Sequence, residues 1–455
     1  MKRGKRLILP LLGTLILTSL FSCGVDRWPE YYPETGRDIW IDSVMRQEYL
    51  WYRDMPSPAA PDYFQKPEAF LKKAVASMDN GFSKIDSLLD EPIPSYGFDY
   101  TLYKVLDNDT AYNALISYVV PGSPAEEAGL QRGHWIMMMN GDYITKKVES
   151  ELLQGSTRQL QIGVYKEVVG EDGEVTGGVV PIGETTMPAS RSLADKPVHR
   201  FEIIPWNGKK VGYLMYNEFK AGPTTDSQAY NDDLRRAFRD FQTGGVNEFV
   251  LDLRYNTGGS LDCAQLLCTM LAPADKMNQL LALLRYSDKR VEANQDLTFN
   301  PELIQSGANL NLSTVYVLTT NATRGAAEMV INCLNPYMKV VLIGTKTAGE
   351  YVATKPFVHP TDRFILNLVV CNVYNAEEKS DYATGFKPTY EYNEDSYLST
   401  YLPFGNTNET LLNAALKIMK DWNRIKTHGF CNSMIRAFCF FKRLCSLRKD
   451  IDCFL

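Results

Sequence analysis

The stretch VYVLTTNATRGAAEMVINCLNPYMKVVLIGTKTAGE, residues 315–350, reads as a strand, a tight turn, a helix and a second strand. Such a unit sets the start of its helix at the carboxyl end of the first strand. An open α/β sheet binds its ligands there, and a nucleophile would stand there. The turn, however, carries Arg324-Gly325-Ala326-Ala327, so neither serine nor cysteine opens the helix.

A second unit precedes it. In FVLDLRYNTGGSLDCAQLL, residues 249–267, an apolar strand ends in Asp252-Leu253-Arg254 and a loop ending in Gly258-Gly259 leads into a helix. Adjacent glycines let backbone amides point at a ligand, which makes Gly258 and Gly259 oxyanion-hole candidates, with Ala326 beside them at the other helix start. Upstream, a strand over Val211–Tyr216 and a helix over Ser227–Phe241 continue the alternation. Tyr230, Leu234, Phe238 and Phe241 form the helix's apolar stripe, and Gly244-Gly245 end it. Strands alternating with helices imply a mainly parallel sheet.

Residues from about 94 to 190 read as strands. YGFDYTLYKV and YNALISYVV precede PGSPAEEAGLQRGHWIMMMNGDYI, in which Ala125–Ala128 make one helical turn, Gly129 stops it and Asn140-Gly141 turn a hairpin. A further hairpin turns at Glu171-Asp172-Gly173. The order resembles a PDZ domain of the bacterial protease type, except that Gly133-His134 stands where such domains usually have Gly-Asp. That resemblance implies capture of a peptide's terminal carboxylate by the turn Tyr96-Gly97-Phe98 and addition of the peptide to a sheet edge.

Residues 23–93 read as a helical domain: IWIDSVMRQEYLWYRDMP as a helix on Trp40, Val44, Tyr49 and Trp51 closed by Pro56, then EAFLKKAVASM and FSKIDSLLD as two short helices. In front of it, Lys2, Arg3, Lys5 and Arg6 precede an apolar run, Leu7–Phe21, that suits a secretory signal. LFSC, ending at Cys23, resembles a bacterial lipoprotein signal, giving residues 1–22 as signal and Cys23 as the acylated N-terminus. The expected location is extracytoplasmic, lipid-anchored to the bacterial envelope. A net charge of -6 and a pI near 5.5 offer no basic face to nucleic acid. Cys263, Cys268, Cys333 and Cys371 sit singly in apolar stretches and read as buried thiols. No CxxC pair occurs and the histidines are dispersed, so neither a metal nor another cofactor is expected.

DLRYNTGG, VVLIGTKTAGE, YATGFKPTYEYNED (residues 382–395) and NETLLNAALKIM (residues 408–419) together resemble the C-terminal processing, or tail-specific, protease family. The resemblance implies a multidomain α+β chain: helical N-terminal domain, PDZ-like domain, and an α/β protease core over about 200–425. It also implies a Ser/Lys dyad, the lysine acting as base toward the serine. Carried over along the motifs, Thr323, Glu328, Thr347 and Gly349 match. The nucleophile falls on Gly325 and the base on Glu350, so both reacting groups are substituted, and Thr354 replaces a glutamine that follows the base. Glycine has nothing to acylate. The expectation is a peptidase-family protein that binds extended or C-terminal peptide segments without cleaving them. The alternatives are an endopeptidase with a displaced nucleophile, Thr323 or Ser260, and a purely structural interaction protein. Arg324 and Glu350 are expected to fill the old site with an ion pair. Residues 426–455, basic and holding Cys431, Cys439, Cys445 and Cys453, form a tail of unassigned role.

Overall fold

The computed structural model describes residues 28–58, 60–88, 93–106, 108–169 and 175–427. The signal segment with Cys23, the turn Glu171-Asp172-Gly173 and the tail from residue 428 onward lie outside the described residues.

The described chain divides into two compact units, of which one comprises residues up to 88 with 286–292 and 354–370. Its main helix α1 (Trp28–Glu48) begins earlier than expected and stops at Glu48 instead of running to Pro56. The buried stripe is Ile41, Met45 and Tyr49, each at 0% exposure, which sets the face one residue away from Trp40 and Val44. Beyond it, the Leu50 amide donates to Val369 O at 3.0 Å and ends the helix. The Tyr49 hydroxyl donates to Asp79, which also accepts from the Ser83 amide and hydroxyl. After α2 (Pro67–Ala74), the expected helix FSKIDSLLD is instead a strand, β1 (Lys84–Ser87), antiparallel to the first residues of β16 (Phe364–Asn375). Its apolar spacing fits a helix, but a short segment with serines and an aspartate has little helix propensity to set against a ready-made sheet edge.

Asp38 of α1 is fully buried; its Oδ2 accepts from the Gln65 amide at 3.0 Å, while Oδ1 meets no donor among the described residues. Burial pushes its carboxyl up to about 6, against the Gln65 hydrogen bond and Arg37. A raised carboxyl contributes stability that is present below the ordinary value and lost as pH rises through the raised one. The thermal midpoint is therefore expected to fall between pH 4 and 7, and Asp38→Asn to remove that part of the slope. An unchanged profile in the variant would refute the assignment.

The other unit carries two sheets. The first is antiparallel: β2 (Phe98–Val105), β3 (Asn108–Val119), β4 (His134–Met139), β6 (Arg158–Val169) and β7 (Val175–Met187) lie in that order, with β5 (Asp142–Tyr143) against β4. The one-turn helix α3 (Pro124–Glu127) is capped by Ser123, and Asn140 and Gly141 both take positive φ in the β4–β5 hairpin. Its core contains Tyr96, Phe98, Ile116, Leu130, Ile136 and Ile162.

The second sheet runs β17-β14-β13-β10-β9-β8, parallel except where β8 (Val198–Trp206) pairs with β9 (Lys209–Tyr216). β8 was not legible in the sequence: it is an edge strand burying only Ile204 among its side chains. β10 (Glu248–Asp252), β13 (Thr314–Thr319), β14 (Lys339–Gly344) and β17 (Tyr390–Glu391) follow in parallel register. A hairpin of β11 (Leu280–Tyr286) and β12 (Gln295–Thr298) lies outside this sheet, as does β15 (Val352–Val358).

On one face Phe238 and Phe241 of α4 (Ala229–Gly244) pack edge and tilt against Phe249. α5 (Leu261–Leu271) and α6 (Ala326–Leu334) are almost wholly buried. Beneath the other face, α7 (Thr410–Thr427) sets Leu411, Leu412, Ala415, Leu416 and Met419 against Val211, Tyr213, Val250, Leu318 and Ile343. Cys263, Cys268, Cys333 and Cys371 are buried and form no disulfide among the described residues.

The two sheets are tied by polar groups, of which Arg132 and Glu394 are buried. Arg132, after α3, donates to Glu394 Oε2 at 2.8 Å, Tyr255 Oη at 2.9 Å and Leu402 O at 3.1 Å, with its guanidinium 3.6 Å from the Tyr401 ring centroid. A Cβ on the next residue, Gly133, would stand 2.1 Å from Tyr401 O. Tyr118 of β3 donates to Asp195 and accepts from Asn217 Nδ2 at 2.5 Å.

Candidate active cleft

The carboxyl ends of β10 and β13 place two loops side by side. In the first, Asn256 is fully buried: its Nδ2 donates to Tyr216 O at 2.8 Å and its Oδ1 accepts from the Gly258 amide at 2.9 Å. Gly258 and Gly259 have φ of 97° and 125°, and a Cβ on Gly259 would lie 2.3 Å from Phe219 O. These positions therefore admit only glycine.

In the second loop, Thr323 is fully buried; its hydroxyl donates to Leu253 O at 2.8 Å and accepts from the Thr320 amide at 3.0 Å. Next but one is Gly325, the N-cap of α6, at φ 57° and ψ −118°. That is a sharp strand-to-helix bend, strained for a residue with a side chain, of the sort that lifts a nucleophile clear of a sheet. A Cβ there would stand 3.3 Å from Glu350 Oε2 and 3.6 Å from Gly258 Cα. The residues assigned from sequence to the nucleophile and the base are thus brought together, with Gly258 on the third side.

Glu328 holds this arrangement, and the sequence did not disclose its task. It lies in the first turn of α6 at 0% exposure; Oε1 accepts from Thr347 Oγ1 at 2.5 Å and the Gly349 amide at 2.7 Å, and Oε2 from the Glu350 amide at 2.7 Å. The Gly325 amide also donates to it, the return half of a capping box. Burial pushes its carboxyl up, against those four hydrogen bonds. A signal did exist in the motif matches at Glu328, Thr347 and Gly349, but spacing cannot show that one carboxylate ties the helix start to the loop beyond β14. Tyr382, buried beside Glu328 and Glu350, is held well above its ordinary value by burial, so its hydroxyl stays neutral.

Three expectations change. Arg324 is exposed and forms no ion pair with Glu350 among the described residues; its place at the tip of the turn directs it to solvent. Of the oxyanion candidates, the Gly258 amide is already spent on Asn256, while the Gly259 and Ala326 amides meet no acceptor among the described residues. The turn Tyr96-Gly97-Phe98 is closed on itself. The Tyr96 amide donates to Leu153 O at 2.8 Å and the Gly97 amide to Ser95 Oγ at 3.0 Å, while Tyr96 and Phe98 bury their rings in the domain core. Along the same edge of β2, the Tyr100 amide donates to Asp99 Oδ1 and its hydroxyl to Glu149 O. Neither displaced-nucleophile candidate is poised either: the Thr323 hydroxyl is spent as above, and Ser260 is exposed ahead of α5. Lys346 is exposed. Among the described residues no group of three or more His, Cys, Asp or Glu side chains could hold a metal.

A PDZ-type domain fixed to a parallel α/β core with paired glycines facing a strained helix start defines the architecture of a tail-specific protease. Residues 210–392 match the profile of peptidase family S41, residues 38–84 that of the peptidase S41 N-terminal domain and residues 115–160 that of a PDZ domain. A crystal structure assigned to the S41 proteases, from Bacteroides fragilis, is 98% identical over 84% of this chain and 97% of its own, with a TM-score of 0.82. The chain belongs to peptidase family S41. It is also similar to the carboxyl-terminal-processing protease of Picosynechococcus sp., 25% identical over 53% of this chain and 51% of that protein. The chloroplastic carboxyl-terminal-processing peptidase 1 of Arabidopsis thaliana is 26% identical over 63% of this chain and 54% of its own. The chain thus spans about half the length of these two relatives.

Proposed function

We propose that this protein binds extended or C-terminal segments of other proteins without cleaving them, as an extracytoplasmic lipoprotein anchored through Cys23. The observation that carries the reading is the pairing of Gly325 with Glu350. The bend, the glycines and the Glu328 clamp of a hydrolytic site are retained, while the atoms that would react are a hydrogen and a carboxylate. A carboxylate with no hydroxyl to deprotonate leaves acyl transfer without its first step, and its charge opposes a developing oxyanion. The amides of Gly259 and Ala326 support binding of a peptide carbonyl in the cleft. The PDZ-type domain is a second place for a peptide, once Tyr100 and the turn at Gly97 give way.

The test is incubation of the purified protein with an unstructured protein substrate, followed by mass spectrometry, beside Gly325→Ser/Glu350→Lys. The native protein is expected to leave the substrate intact and the double variant to cut it. Loss of the nucleophile costs hydrolases of this kind several orders of magnitude in rate, so the contrast is large. Fragments produced by the native protein would overturn the reading.

A further inference from the structure

We infer that a cavity of the PDZ-type domain, between the start of β3 and the β4–β5 hairpin, is a binding site for a neutral sugar ring. The cavity measures about 470 Å³, within the range of small-ligand sites. It shares no lining residue with the cleft or with the turn at Gly97. The short turn Glu149–Leu152 separates it from β2: the Glu149 carbonyl accepts from the Tyr100 hydroxyl, whereas Val148 and Glu151 border the cavity.

The core side of the cavity is apolar and its rim polar. Ala111 and Met139, both buried, line it from the core, while Tyr143 is 47% exposed and its ring packs against no other aromatic ring among the described residues. Two carboxamides are fixed by their oxygens. Asn108 Oδ1 accepts from the Thr110 amide at 3.2 Å and hydroxyl at 3.0 Å, and Asn140 Oδ1 from the Gln159 amide at 3.0 Å. Each Nδ2 is left as a donor with no acceptor among the described residues. Asp142 supplies the acceptor. It is exposed and forms no ion pair among the described residues, since Lys146 pairs with Glu149 and Lys104 with Asp109. The other carboxylate of the rim, Glu151, is held by Arg158 at 2.7 Å.

Fixed donors, one acceptor and an unstacked aromatic ring around an apolar floor suit a ring with hydroxyls on its edge and C–H groups on its faces. The hydroxyls accept from the two carboxamides and donate to Asp142, and a C–H face lies on Tyr143. An aliphatic ligand would desolvate these polar groups without compensation, and an anion would be repelled by Asp142. An organic cation would use Asp142 alone and lose its hold in salt.

The experiment is saturation-transfer NMR on the purified full chain, with glucose, galactose, N-acetylglucosamine, cellobiose and glucosamine as probes. At least one of the neutral sugars is expected to take up saturation through its ring protons, in low and high salt alike. Tyr143→Ala should weaken that binding about tenfold and Tyr143→Phe leave it nearly unchanged, because the ring and not its hydroxyl makes the contact. Asp142→Ala should weaken it as well. Both side chains are exposed, so the fold is expected to survive, and an unshifted thermal midpoint checks it. No transfer to any neutral sugar, or binding that Tyr143→Ala and Asp142→Ala leave unchanged, overturns the site. Binding of glucosamine alone, lost in high salt, overturns the neutral ligand in favour of a cation on Asp142.

Discussion

Arg254→Ala is expected to destabilise the larger unit by about 3–5 kcal/mol, the usual consequence of removing one member of a buried ion network. Arg254 has 0% exposure and pairs with Asp252 at 2.9 Å, Glu409 at 2.8 Å and Glu394. Without it three carboxylates remain in the interior with Arg132 as their remaining cation within 4.0 Å among the described residues. Glu394 and Glu409 come from the chain after the parallel sheet and Arg132 from the PDZ-type domain, so the loss falls on the joint between the domains. Denaturant unfolding followed by tryptophan fluorescence reads the change, and Trp135 and Trp206 lie on the two sides of that joint. Arg254→Lys should recover part of the loss, since a single ammonium cannot span the three carboxylates as the guanidinium fork does. The network also fixes an acid limit. Burial alone would raise the Glu409 carboxyl, but Arg254, Arg132 and the Leu412 amide outweigh it and hold it below the ordinary value of 4.5. A depressed carboxyl contributes stability that is present above its ordinary value and lost as pH falls through the depressed one. The native protein should therefore weaken steeply in acid, and Arg254→Ala more gently. A loss below about 1 kcal/mol, the size of a surface pair, would show that the domains are held by apolar packing instead.

Glu328→Ala is the second large effect, about 3 kcal/mol, because it strands the Thr347 hydroxyl and the Gly325, Gly349 and Glu350 amides where water scarcely reaches. The local consequence is more diagnostic than the global one. With the clamp gone, the 345–351 loop should exchange its amide hydrogens faster while β13 and β14 keep their protection, which hydrogen exchange with mass spectrometry resolves. Glu328→Gln keeps an acceptor and separates charge from packing. Burial raises the Glu328 carboxyl, so its favourable contribution is present below the ordinary value of 4.5 and lost as pH rises through the raised one. The glutamine variant should lack that slope. Unchanged loop exchange in Glu328→Ala would mean that Gly349, pressed to 2.5 Å between its would-be Cβ and Ala383 O, holds the loop alone.

The reacting pair was legible because it depends on residue identity at fixed motif distances. Counting from Thr323, Glu328, Thr347 and Gly349 put Gly325 and Glu350 at one point, and the fold brings them within contact. What a side chain does at that point was not legible. The Arg324–Glu350 pair failed because adjacency along the chain does not give direction: the bend at Gly325 sends Arg324 outward. Gly258 looked like a free donor because the sequence cannot show that Asn256, two residues earlier, reaches its amide first. The same holds for the turn at Gly97, whose donors Ser95 and Leu153 satisfy.

By itself the sequence determined the parallel core, through apolar strands and amphipathic helices in alternation, the antiparallel domain before it, through its turn residues, and the absence of serine and lysine from the two positions that need them. Only the tertiary structure decided that Lys84–Ser87 is a strand and that Val198–Trp206 joins the sheet. It alone set which amides stay unengaged, and that Arg132 and Arg254 bind the two domains through shared carboxylates. The division has one physical cause. Periodicity and turn chemistry act over a few residues and are written locally, whereas sheet edges, buried charges and hydrogen-bond competition are settled between groups far apart in the chain, where burial raises the cost of every unmet polar atom.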